Sequence, residues 1–291
     1  MTDYKIITDS NCDFTPALID ELDVQVIPME FVIGEKVYRN YPDERDMSAK
    51  EFYSRIRSGE LSTTNQINTA TFIDVFTPVL NAGRDIFYMA FSSGLSGTYN
   101  SACMAAEELR SRFPERTVIV VDTLAASMGE GLLVYYAVQQ KRAGLSMQEL
   151  EQWVIDNRNH LAHWFTVDDL NHLKRGGRVS GTAAFFGTML GIKPVLHVDN
   201  EGHLIPVEKV RGRRQSLDAL VKHMGKTAQL ENAKTVFLSH GDAQQDADYV
   251  AAQIQEKFPG TRIYINMIGP VIGAHSGPGT IALFFMADNK D

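Results

Sequence analysis

Cysteine is scarce in this chain. Cys12 and Cys103 are the only two in 291 residues, which argues against a disulfide framework and points to a reducing compartment. Long apolar runs are missing: no stretch of 18 apolar residues exists, so no helix is expected to span a membrane. The first residues, Met1-Thr2-Asp3-Tyr4, lack the basic segment and apolar run of a secretory signal. A soluble cytoplasmic protein is the expectation. Basic charge is in deficit, with 28 Lys and Arg against 36 Asp and Glu and a formal net charge of −8. Nonspecific nucleic-acid binding runs on phosphate neutralisation and is disfavoured by that balance. No internal repeat and no low-complexity tract appears.

The common enzyme motifs fail as well. Gly225-Lys226-Thr227 resembles the end of a phosphate-binding loop, but Leu220 stands where its first glycine is required. Gly129 and Gly131 begin a dinucleotide fingerprint that Val134 breaks. The segment around Ser96 is no nucleophile elbow, because Thr98 replaces the second glycine. His160 and His163 are three apart, yet no carboxylate or cysteine cluster completes a metal site. No metal and no cofactor is expected.

What is present is globular. Apolar residues make up 44% and charged residues 22%, and the length suits about two domains. Residues 4–8, 24–31, 85–91 and 117–121 are short apolar runs separated by helical patterns, the signature of βα units. Ser48 with Glu51 and Ser146 with Glu149 form capping boxes that start two of the helices. Character changes near residue 160. Residues 163–167 read as a strand, and 192–198 with 204–210 as a hairpin closed at Gly202. Helices over 215–229 and 244–258 then alternate with strands over 235–240, 262–267 and 281–286. The predicted fold is α/β: an N-terminal, mostly parallel sheet with flanking helices, residues 1–160. An α+β domain with a largely antiparallel sheet follows, residues 161–291.

Hydroxyls and glycines crowd the strand ends. Thr8-Asp9-Ser10 follows the first strand. Ser92-Ser93-Gly94-Leu95-Ser96-Gly97-Thr98 follows the third, and Asp122-Thr123 then Ser127-Met128-Gly129 the fourth. Ligands of open α/β sheets sit outside the carboxyl ends of the strands, and hydroxyls with backbone N–H groups suit an anion. Taken singly, each loop is also an ordinary set of caps and turns. Ser62-Thr63-Thr64-Asn65-Gln66 lies between two helical patterns, either as a cap region or as a polar lip on the same crevice. Arg175-Gly-Gly-Arg178-Val-Ser180 precedes an apolar run over 181–192, which reads equally as a core helix or a cavity wall. Arg211, Arg213 and Arg214 form a basic cluster. Residues 269–280 hold four glycines, two prolines and His275, and read as a tight loop. A polar rim without a catalytic engine suits a binding protein.

In this order the motifs resemble those of the DegV family of bacterial fatty-acid-binding proteins, which includes the FakB subunits of fatty acid kinase. The resemblance spans essentially the whole chain. It rests on Thr8-Asp9-Ser10, Thr64 and Gln66, the Ser92–Thr98 segment, Asp122-Thr123, Arg175–Ser180, Lys193-Pro194 and the His275–Gly279 segment. It implies a long-chain fatty acid buried between two domains, its carboxylate held by Thr64, Ser93 and the Gly94 amide. Asn65 and Ile67 depart from the family's Thr-Ser-Gln-Pro pattern. Asp9, Ser10, Gln66, Ser96, Thr98 and Asp122 would support the loops. A separate FakA-like kinase would phosphorylate the carboxylate with ATP, in the service of phospholipid metabolism, and Arg178, Arg211 and His275 would meet it at the pocket mouth. A transient contact with a membrane surface is compatible with that role. Burying about sixteen carbons gains on the order of 10 kcal/mol before binding costs. Two other readings stand beside it. One is a stand-alone serine hydrolase or acyltransferase using Ser93 or Ser96 with His275; it lacks a group to orient the histidine. The other, a transcriptional regulator, has no helix-turn-helix signal.

Overall fold

Short apolar runs become central strands where both faces are covered. The structure, a computed structural model, describes residues 4–179, 191–231 and 234–290. Its strands in chain order are β1 (Tyr4–Asp9), β2 (Gln25–Ile27), β3 (Glu30–Ile33), β4 (Lys36–Arg39), β5 (Ser62–Asn65), β6 (Asp85–Ala90) and β7 (Val118–Asp122). After residue 160 come β8 (Leu161–Thr166), β9 (Ile192–Val198), β10 (Leu204–Arg211), β11 (Thr235–His240), β12 (Arg262–Met267) and β13 (Ile281–Met286). The first sheet is parallel, in the order β2-β1-β6-β7. The largest runs β10-β9-β8-β13-β11-β12 and is antiparallel except for the β11–β12 pair. The α/β and α+β expectation therefore stands, as does the hairpin closed at Gly202.

Three local readings need correction. The run over 24–31 is not one strand. Pro28 has no N–H to give a ladder, and the chain turns there from β2 into β3, which belongs to a third sheet, β4-β3-β5. The polar run at 62–66 is not a cap region: residues 62–65 are β5, paired antiparallel with β3, and Thr64, Asn65 and Gln66 form the polar lip that the other reading placed on the crevice. The stretch 269–280 is not simply a loop. Pro270 opens a short helix, Pro270–Ser276, at the first position, where its missing N–H costs nothing. The apolar run's residues 181–190, with Ser180, lie outside the described residues.

The helix Met128–Arg142 joins the sheets. Its residues from Met128 to Tyr135 are buried without a break, as expected of a helix covered on all sides. It packs against β8, β11 and β13. It is also bonded to β1 at both ends: Thr8 Oγ1 donates to Glu130 Oε1 at 2.6 Å, and Lys141 Nζ to the Tyr4 carbonyl at 2.6 Å. One apolar cluster accordingly contains Phe87 and Met89 of β6 together with Phe165, Phe237 and Phe284 of the six-stranded sheet.

Candidate functional site

A cavity of about 380 Å³ lies between the carboxyl-end loops of the parallel sheet and the inner face of the six-stranded sheet. Most of its wall is apolar: Phe91 and Leu95 after β6, Phe165 on β8, Val271 and Ile272 on the short helix, Phe284 on β13. A minority is polar, and includes Thr64, Gln66, Ser96, Gly97, Arg178 and His275. An apolar chamber with a few convergent polar groups is the usual form of a small-molecule site.

Thr64 and His275 face each other there. Strand pairing sets Thr64 opposite Phe31, and alternation along β5 turns its side chain inward, half-buried. The short helix brings His275 Nε2 to 2.8 Å from Thr64 Oγ1. On the other side of the ring, Nδ1 is buried without a partner and lies against Gly176, where any Cβ would overlap it. Burial, aided by the nearby Arg178 charge, pushes the imidazole pKa down to about 4, so His275 is neutral at physiological pH. Arg178 is fixed by its donations to the Leu95 carbonyl at 3.2 Å and the Gly176 carbonyl at 2.5 Å. Thr64, Arg178 and His275 also line an adjoining recess of about 230 Å³, with His172, Arg175 and the exposed Leu61.

The loop after β6 splits its serines between two tasks. Ser96 lines the cavity; its Oγ is 2.9 Å from Oγ1 of the buried Thr98, which also accepts from the Ile67 N–H at 3.4 Å. Gln66 lies over Gly97, where a Cβ would strike its amide, and donates to Ser101 at 3.3 Å. Ser93 is exposed and does not line the cavity. Its N–H donates to Asp122 Oδ1, at 3.2 Å. Nor does Gly94 line the cavity; its Cα faces the hairpin turn, where a Cβ would come within 2.9 Å of the Glu201 carbonyl. Asp9 is fully buried and accepts from Tyr88 OH at 2.9 Å and the Phe91 N–H at 3.2 Å, bracing that loop. Ser10 Oγ accepts from the N–H of Met29, a cavity residue. Arg211 is exposed at the far end of the hairpin from Val198 and Leu204, and lines neither cavity nor recess. The structure thus unites Thr64, Gln66, Ser96, Arg178 and His275, and leaves Ser93, Gly94 and Arg211 outside that group.

Ser127, one of the strand-end hydroxyls, lines the cavity as well. It donates to Asp13 Oδ2 at 2.6 Å and lies 2.8 Å from Ser239 Oγ. Asp13 Oδ1 accepts from the Gly269 N–H at 2.9 Å, just ahead of the short helix. Burial pushes the Asp13 carboxyl up to about 7 against the pull of those hydrogen bonds. His163 on β8, read from the sequence only as a strand residue and as half of an incomplete metal pair, also lines the cavity. Its alternation with Phe165 was the available signal. Among the described residues, no group of three His, Cys, Asp or Glu is arranged to hold a metal ion, and no helix is long and apolar enough to cross a membrane.

A family model described as uncharacterised protein, DegV family, matches residues 3–288. The chain belongs to the DegV family. A DegV domain-containing protein of Clostridium perfringens is 43% identical over the full length of both chains. Among solved structures, a DegV family protein from Thermus thermophilus, described by its fatty acid binding, shares 28% identity and a TM-score of 0.86. That match covers 99% of this chain and 100% of the other. A stearic-acid-binding protein from Eubacterium ventriosum shares 25% identity and a TM-score of 0.87, with 98% of each chain covered.

Proposed function

We propose that this DegV protein binds a long-chain fatty acid and presents its carboxylate to a separate ATP-dependent, FakA-like kinase for acyl-phosphate formation. The observation that carries the reading is the cavity's composition, a long apolar wall with a small polar group around Thr64 and His275. A buried carboxylate must keep its hydrogen bonds. With His275 neutral, its Nε2–H can donate to Thr64 Oγ1, which frees the threonine proton for the carboxylate. Ser96 offers a second hydroxyl on the same wall. No ion pair is needed, so the acid remains chemically available. The adjoining recess, with Arg175 and His172 on its walls, gives a kinase a route to the head group.

The serine-nucleophile alternative finds less support. His275 bonds to Thr64 rather than to Ser93 or Ser96, and a pKa near 4 makes it a weak general base at neutral pH.

The test is to denature the purified protein, extract it with solvent and run mass spectrometry on the extract. A stoichiometric long-chain acid is expected. An empty protein that also ignores added fatty acid sinks the proposal.

A further inference from the structure

The geometry points to His163 as the residue that ends the acyl cavity and sets the longest chain it accepts. This rests on the fatty-acid reading above. Three neighbouring strands define the deep wall. In the register of β8 with β13, His163 stands opposite Phe284 and Phe165 opposite Ala282. In the register of β9 with β8, His197 pairs with Trp164, which carries Val198 level with His163. Val198, His163 and Phe284 therefore form one rung across the sheet, and all three line the cavity. The next rung inward on the same face, Leu161 and Met286, is buried and does not line it. Between Thr280, which also lines the cavity, and Phe284 lie about 13 Å of extended strand. The exposed fraction falls along this path, from 7% at Phe165 and 6% at Ala282 to 1% at His163 and 2% at Phe284. On this face the lining ends at the His163 rung.

The imidazole is held firmly at that rung. His163 Nδ1 lies 3.1 Å from the Leu161 carbonyl, and the ring meets Phe284 edge to face at 5.3 Å. Nε2 is buried with no hydrogen-bond partner and abuts Gly129, where a Cβ would collide with it. A neutral imidazole packed on three sides cannot swing away to admit further methylenes. Removing it opens space in line with the chain.

The experiment compares delipidated wild type, His163→Ala and Val198→Ala for binding of saturated straight-chain acids from twelve to twenty carbons. For His163→Ala the preference for the twenty-carbon over the sixteen-carbon acid should rise about tenfold, the worth of roughly two newly seated methylenes. Val198→Ala enlarges the same rung and should shift preference in the same direction, which keeps the test open should His163→Ala fail to fold. An unchanged length profile in a folded variant overturns the assignment of His163 while the wild type still binds acid. If the wild type takes up no acid of any length, the fatty-acid reading itself falls, and the chain-length stop with it.

Discussion

The Ser92 hydroxyl donates to the Gly202 carbonyl at 2.9 Å, tying the loop after β6 to the turn of the β9–β10 hairpin. Gly202 has φ +81° and no room for a Cβ, which would overlap Ser92 Oγ. Gly202→Ala is therefore expected to lose about 2 kcal/mol of stability through strain and collision. Ser92→Ala should lose roughly 1 kcal/mol by leaving the carbonyl unpaired. Urea unfolding of both variants reads this directly, and wild-type midpoints would refute it.

Thr64→Val should weaken fatty acid binding by about ten- to a hundredfold, the worth of a hydrogen bond to a charged group at roughly 1.5–3 kcal/mol. Ser96→Ala should weaken it less, and Ser93→Ala not at all. Equilibrium binding with the three variants distinguishes the serine that lines the cavity from the one implied by family resemblance. A loss confined to Ser93→Ala would restore the latter.

Arg178 spans both cavity and recess, and is anchored to backbone carbonyls rather than to an acid. Arg178→Ala should retain the lipid yet slow its phosphorylation by a cognate kinase. Turnover at the wild-type rate with saturating kinase would remove Arg178 from that role.

In an Asp13→Asn background, which removes the carboxyl that titrates near 7 behind Ser127, affinity should be flat between about pH 8 and about pH 5.5, because an imidazole held neutral by burial does not titrate there. Isothermal titration across that range checks it. A steep rise on acidification through about 6.5 would mean that His275 becomes charged beside the ligand.

Asp13 gives a pH dependence of stability with a defined sign. Its pKa rises from 3.8 to about 7 on folding, so between those values the folded state holds a proton that the unfolded chain has lost. Its stabilising share is complete below the unfolded pKa and declines as pH climbs towards 7. The depressed His275 acts oppositely, favouring the folded state as pH rises between about 4 and its ordinary 6.5. Subtracting Asp13→Asn from wild type isolates the first effect. The difference in unfolding free energy should fall with pH from about 4 to about 7, and a flat difference would show that Asp13 is ionised throughout.

The fold was legible where apolar periodicity and packing agree. β6 and β13 are continuous apolar runs because both faces are covered, and the β9–β10 hairpin announced itself by its turn. β5 was hidden: Ser62, Thr63, Thr64 and Asn65 carry no apolar rhythm, and only pairing with β3 makes them a strand. The short helix was masked by glycines and prolines that ordinarily signal a turn. At the site, Thr64 and His275 could each be singled out by residue type. Their contact spans 211 residues of sequence, and no local pattern encodes it. The choice between Ser93 and Ser96 was equally out of reach, since it depends on which side of one loop the hairpin turn covers.

The helix Met128–Arg142 belongs to the interior of both sheets at once. Neither the stretch before residue 160 nor the stretch after it can complete its own interior without that helix in place. Although the length suits two domains, heat should melt the chain in a single cooperative transition. On the fatty-acid reading, a copy that has lost either sheet has lost the chamber too, and added fatty acid should raise the melting temperature of the entire molecule rather than of one half.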